Sequence, residues 1–203
     1  MIRVKKKVLY IFLTHRKNYI ETLNKVSLLT YPAIVVVGGE DTYLDKKTLY
    51  VKTPDNYDGL PQKVYEALTY LITVKEFKKY THFCKLDEDM EINQLFSQKI
   101  LFKLNYGGNV QYSEGDRYWG KNKFSKNSKF SNSPYMGNYV PWCKGGYGYL
   151  VSRYAIDQIK NLDILFDDEP YEDLLIAKLL NKKEIYPKNI KNLYKFISSK
   201  SHN

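Results

Sequence analysis

The chain has 203 residues, 43% hydrophobic and 27% charged, with a formal charge of +10. This is the balance of one globular domain with a sizeable core, and its two cysteines exclude a disulfide framework or a cysteine zinc site. The apolar run Val8–Leu13 is too short for a signal or membrane helix, and no other stretch can span a bilayer.

A soluble, cytoplasmic protein is therefore expected, with peripheral contact as its remaining membrane option. The lysines are scattered along the chain without an RNA- or DNA-binding motif, so no dedicated nucleic-acid partner is expected.

In chain order, residues 7–13 read as a buried strand. Thr14 reads as an N-cap, and residues 15–29 as a helix turned inward through Ile20, Leu23, Val26 and Leu28. Tyr31–Pro32 stops it, and Ala33–Val37 is a second buried strand. Together they form a β-α-β unit, whose crossover is right-handed and whose ligands sit at the carboxyl ends of the strands. Thr14, His15 and Arg16 fall at such an end, where they either touch a nucleotide or serve as a helix cap with exposed charges.

Residues 48–52 read as a short strand, and residues 61–79 as a long amphipathic helix opened by Asp58–Pro61. Lys63, in its first turn, is either a diphosphate contact or a solvated lysine. The pattern then predicts a strand running to Asp87, a helix over 93–105, and a strand near 110–112. Residues 113–139 have almost no aliphatics, the composition of a mobile functional loop. The rings of Tyr118, Trp119, Phe124, Phe130 and Tyr135 suit stacking on a sugar or a base, or they pin the loop to the body. Helices follow over 153–162 and 174–180, then a tail expected to add a short strand and a closing helix.

The stretch that carries chemistry is Lys85–Leu86–Asp87–Glu88–Asp89. Adjacent carboxylates at the end of a buried strand repel one another, and burial adds to the cost. A hard divalent cation removes that cost and keeps positions open for substrate phosphates. Asp87, Glu88 and Asp89 are thus a candidate metal-diphosphate site, against the plainer reading of a solvated acidic turn. Gly145 and Gly146 leave backbone open to a ligand. Glu172 and Asp173 suit the positive end of the helix that follows them.

Four stretches in order resemble the beta-1,3-galactosyltransferase and Fringe-like glycosyltransferases: residues 55–63, 85–93, 139–152 and 172–174. The resemblance implies a GT-A fold, a Rossmann-like α/β/α sandwich with a mostly parallel central sheet. It also implies an inverting transfer from a UDP-sugar, with Mn²⁺ or Mg²⁺, to a glycan or glycoprotein acceptor. Carried over by motif, Asp89 would ligate metal, and Asp87 would contact the ribose or the metal shell, with Glu88 beside them on the donor side. Gly145 and Gly146 would line the donor-sugar pocket. Asp173 would be the general base, with Glu172 touching acceptor or donor, and the loop between the motifs would close over the donor.

Many enzymes of this fold add a late histidine to the metal, for which His202 is the candidate here. The pairing of Cys143 in a family-type disulfide stays open, as does pairing with Cys84. Two other functions compete. A nucleotidyltransferase of similar fold would want a glycine-rich loop after the first strand, where residues 14–18 hold no glycine. A non-catalytic carbohydrate- or nucleic-acid-binding module would rely on the aromatic, basic loop.

Overall fold

The computed structural model describes residues 5–199. Its frame is an eight-stranded sheet. The strands are β1 (Val8–Leu13), β2 (Ala33–Gly39), β3 (Tyr43–Asp45), β4 (Thr48–Lys52), β5 (His82–Asp87), β7 (Tyr106–Gly108), β10 (Tyr149–Ser152) and β11 (Lys188–Asn189). Their order is β11-β7-β10-β5-β1-β2-β4-β3. The β5-β1-β2-β4 centre is parallel, as is β11 on β7, while β10 and β3 run antiparallel to their neighbours. Short pairs, β6 (Met90–Ile92) with β12 (Ile197–Ser199) and β8 (Val110–Gln111) with β9 (Trp142–Cys143), flank it.

Strand periodicity divides the core into two layers. Leu9, Ile11 and Leu13 of β1, with Ile34 and Val36 of β2 and Phe83 of β5, face helices α2 (Leu60–Thr73), α4 (Arg153–Ile159) and α5 (Glu172–Asn181). Val8, Tyr10, Phe12, Val35, Cys84 and Leu86 face α1 (Tyr19–Leu28) and α3 (Gln98–Leu101). This is the Rossmann-like α/β/α sandwich of GT-A type anticipated from the motifs. The same alternation puts Lys85 and Asp87 in phase with Phe83, on the α5 side.

Several elements differ from the expectation. Residues 16–18 form a 3-10 turn whose N-cap is His15, without a side-chain cap; the Thr14 hydroxyl is buried and used elsewhere. Helix α1 starts only at Tyr19, and this shift leaves Ile20 and Leu28 exposed while Thr22 and Val26 face inward. Helix α2 stops at Thr73, six residues short of the predicted end. The Arg153 guanidinium stabilises the stop by donating to the carbonyls of Ile72, Phe77 and Tyr80 at 2.7, 2.5 and 2.9 Å.

The helix expected over 93–105 shrinks to α3, because its first residues are diverted. Asn93 pairs with the tail through the Tyr194 carbonyl and the Ser198 hydroxyl, and Ser97 then caps the short helix. The closing helix reduces to a 3-10 turn at Leu193–Lys195 before β12. Residues 113–139 contain one 3-10 turn, Lys121–Lys123; Phe124 and Tyr135 are buried in the main core, whereas Tyr118 and Trp119 are exposed. Cys84 and Cys143 are free thiols in different layers of the core. Among the described residues no helix is long and apolar enough to cross a membrane.

Candidate active site

Parallel strands end on one side, so β1, β2 and β5 deliver Thr14, Gly39 and Asp87 to a common rim. β10 runs the other way, with Tyr149 opposite Lys85, so the turn that precedes it, Gly145–Tyr147, arrives at the same rim. Gly148 joins turn to strand at φ +71°, and a Cβ there would meet the Lys85 carbonyl at 3.0 Å and Leu86 at 2.9 Å. Only glycine combines that conformation with that approach.

Lys85 lies at the centre. Its side chain is 3% exposed. The ammonium reaches Asp87 Oδ1 at 2.6 Å, Glu172 Oε1 at 2.8 Å and the Gly145 carbonyl at 3.2 Å. The Glu172 contact is an ion pair without hydrogen-bond alignment, since Oε1 has no hydrogen-bond partner. Burial works against the lysine's charge, but the Asp87 and Glu172 carboxylates outweigh it and hold its pKa above the ordinary lysine range. One buried cation thus joins the acid triplet to the Glu172–Asp173 pair, 83 to 86 residues apart in sequence.

Asp173 is partly buried at the start of α5. Its Oδ2 accepts from the Gly145 N–H at 2.8 Å and its Oδ1 from the Leu174 N–H at 2.8 Å. Burial raises its pKa, while the Gly145 N–H and the Lys85 charge oppose the rise. Glu172, buried beside it, is pushed up first by burial, then by Asp173 and Asp87, against the pull of Lys85. Three carboxylates around one ammonium cannot all stay charged at low cost, so a proton is favoured on the Glu172–Asp173 pair. Gly145 is required for this packing: a Cβ would stand 2.4 Å from Glu172 Oε1. Gly146, in contrast, has nothing within 4 Å of a Cβ and faces open space.

The rest of the triplet is held separately. Glu88 accepts from the Thr14 hydroxyl and from Asn18 Nδ2, the latter at 2.5 Å. Lys25 clamps the turn by donating to the Glu88 and Met90 carbonyls. Asp89 Oδ2 accepts from Ser199 Oγ at 2.8 Å, so the last described strand runs beside it. His202 lies outside the described residues.

Lys63 is neither solvated nor open. It is 2% exposed, pairs with Asp55 at 2.7 Å and donates to the Thr14 carbonyl. Asp55 also accepts from the backbone N–H groups of Arg16 and Gly38, at 2.5 and 2.9 Å. Despite the opposing effect of burial, these donors lower its pKa. Asp55 thus ties the ends of β1 and β2 to α2 and occupies the Arg16 amide that a phosphate-binding loop would need. The side chain of Arg16 is left at the exposed edge.

Among the described residues no three His, Cys, Asp or Glu side chains gather as a metal cage. The donor set still fits a hard cation of the Mg²⁺ or Mn²⁺ kind, which takes one or two carboxylates and completes its shell with substrate phosphates and water. Asp87 has a side chain 39% exposed, and its Oδ2 has no hydrogen-bond partner among the described residues. Asp89 is two residues on in the same turn.

Two residues important to the geometry went unassigned in the sequence reading, Lys85 and Asp55. Lys85 carried a signal: a lone lysine inside an apolar strand, two residues before an acid and so on the same face. Asp55 opens the stretch 55–63 that carries the resemblance, but its role was not readable there, since its partners come from three separate elements.

The galactosyltransferase family model matches residues 35–191 of the chain. No curated protein sequence matches it. Among solved structures, the crystal structure of A197 from STIV is similar at 15% identity, with 91% of this chain and 81% of that chain covered and a TM-score of 0.46.

Proposed function

Because the chain belongs to the galactosyltransferase family and is a glycosyltransferase, we propose that it transfers a sugar from a UDP-sugar to an acceptor hydroxyl, with inversion and with a divalent cation. The observation that carries this reading is the Lys85 ammonium shared between Asp87 and Glu172. It supports one site with a diphosphate side and a base side, rather than two unrelated acidic turns.

Asp87 and Asp89 would hold the cation, which when bound would neutralise charge developing on the departing diphosphate. The acceptor oxygen bonds to the anomeric carbon as the carbon–oxygen bond to UDP breaks. The hydroxyl proton passes to an Asp173 carboxylate oxygen. Burial brings the Asp173 pKa nearer to neutral, where a carboxylate is a better proton acceptor, and the Gly145 N–H fixes its direction. Glu172 and Lys85 set the field around it. The open face of Gly146 leaves room for the donor sugar.

A thermal-shift panel tests this: UDP, two UDP-sugars and ATP, each with and without Mn²⁺, on the wild type and Asp89→Ala. A ligand that binds only the native state raises Tm by mass action. UDP and a UDP-sugar are expected to raise Tm only with Mn²⁺, and Asp89→Ala to abolish the shift. A preference for ATP, or an equal shift in Asp89→Ala, would overturn the reading.

A further inference from the structure

The long loop divides its aromatic residues into two sets. Phe124 and Tyr135 are buried and Phe130 packs against the core. Tyr118 and Trp119 are 52% and 60% exposed. Each exposed ring carries an ammonium at one side: Lys121 over Tyr118 at 5.7 Å and Lys123 over Trp119 at 5.7 Å. The loop holds five cations, Arg117, Lys121, Lys123, Lys126 and Lys129, against two acids, Glu114 and Asp116.

The backbone of this segment is tied to the stretch that carries the base. The Trp119 carbonyl accepts from the Tyr171 hydroxyl at 2.9 Å, and Tyr171 is the residue before Glu172. Lys123 also lies over the ring of Tyr57, at 5.5 Å. Tyr57 itself is close enough to Glu172 and Asp173 for their charges to add to the rise that burial gives its pKa. The Trp119 carbonyl and the Lys123 ammonium thus each link this part of the loop to residues that neighbour Glu172 and Asp173.

Sugar rings present C–H faces that pack on aromatic rings, and a carboxylate or sulfate on the sugar gains from an adjacent ammonium. Resting on the glycosyltransferase reading above, we propose that Trp119 and Tyr118 form an acceptor subsite for an acidic oligosaccharide. One sugar packs on the indole, its acidic group is held by Lys123, and the chain's reacting hydroxyl is presented to Asp173. The charge favours an acidic glycan over a neutral one. Its tie to the stretch that carries the base favours a substrate over single-stranded nucleic acid, which such rings and cations would also stack.

Tryptophan fluorescence reads this without turnover, because the chain has two tryptophans and Trp142 is 9% exposed. The wild type and Trp119→Ala are titrated with hyaluronan hexasaccharide, chitohexaose as its neutral counterpart, and a ten-residue oligo-dT. Bound fractions for Trp119→Ala come from calorimetry, and circular dichroism verifies that the variant is folded. Hyaluronan hexasaccharide should change the wild-type emission, bind at least tenfold more weakly to Trp119→Ala, and weaken with salt. No binding of the hexasaccharide, equal binding to Trp119→Ala, equal binding of chitohexaose, or tighter binding of oligo-dT would each overturn the proposal. Failure here would leave Mn²⁺-dependent UDP binding intact, whereas failure of the parent reading would remove that binding.

Discussion

Strand β5 carries a buried base near each end, and the two are treated differently. At the amino end His82 is 2% exposed, with Nε2 on the Leu104 carbonyl at 2.9 Å and Nδ1 beside the Thr81 hydroxyl. The carbonyl can only accept, which places a proton on Nε2. Burial lowers the ring's pKa, so it stays neutral. At the carboxyl end Lys85 is as deeply buried, yet two carboxylates keep it charged. The neighbours extend the contrast. Arg153, at the amino end, donates to backbone carbonyls that close a helix, whereas Lys85 pairs with two carboxylates of the candidate site besides the Gly145 carbonyl. Here the base held by backbone closes the scaffold, and the one held by Asp87 and Glu172 sits among the acids of the candidate site. A cleft of roughly 530 Å³ makes the same point, since it opens at the amino end, around Thr81, His82 and Arg153, away from Asp87, Glu172 and Asp173.

The largest effect that would sharpen this contrast is on turnover. Asp173→Asn should cut transfer by about 10²–10⁴-fold while leaving Mn²⁺-dependent UDP binding unchanged, measured by product formation beside calorimetry. Retained transfer would break the assignment of the base. Next is Lys85→Met, which leaves Asp87 and Glu172 without their cation. It should cost about 3–5 kcal/mol in denaturant unfolding, the range for removing one partner of a buried pair. Lys85→Arg should not restore it fully, because the planar fork does not fit a site built for a point charge.

At the other end, Arg153→Met should cost about 1–3 kcal/mol from unsatisfied carbonyls, with no change in UDP affinity. A change in affinity would erase the distinction between the ends. The smallest effect is the pH response of His82. Its folded pKa is depressed, so its contribution to stability is present above the unfolded value of about 6.5 and is lost as pH falls through the folded one. Unfolding free energies at pH 7.5 and 5.5 should differ less in His82→Gln than in the wild type, by at most about 1.4 kcal/mol per pH unit.

Much of this architecture was legible in the order of residues. The runs at 8–13 and 33–39 are apolar throughout, as strands covered on both faces must be, 82–87 is apolar but for His82, Lys85 and Asp87, and β-α-β order made the centre parallel. The triplet followed directly as a strand end. The helices read less well: Ile20 and Leu28 carry helical spacing but point outward, since α1 begins late after the turn whose Arg16 amide is taken by Asp55. Residues 93–96 left their predicted helix to meet the tail, a partner about a hundred residues away.

Local pattern alone determined the parallel layers, the acids at the end of β5 and the pair heading α5, because strand period, apolar runs and helix-start chemistry act over a few residues. The tertiary structure decided that those two acid groups share one ammonium, that Lys63 is spent on Asp55, and that Trp119 and Tyr118 are the loop's exposed rings. Each of these depends on contacts between residues far apart in the chain, and the energy of a buried charge depends on which of them arrives beside it.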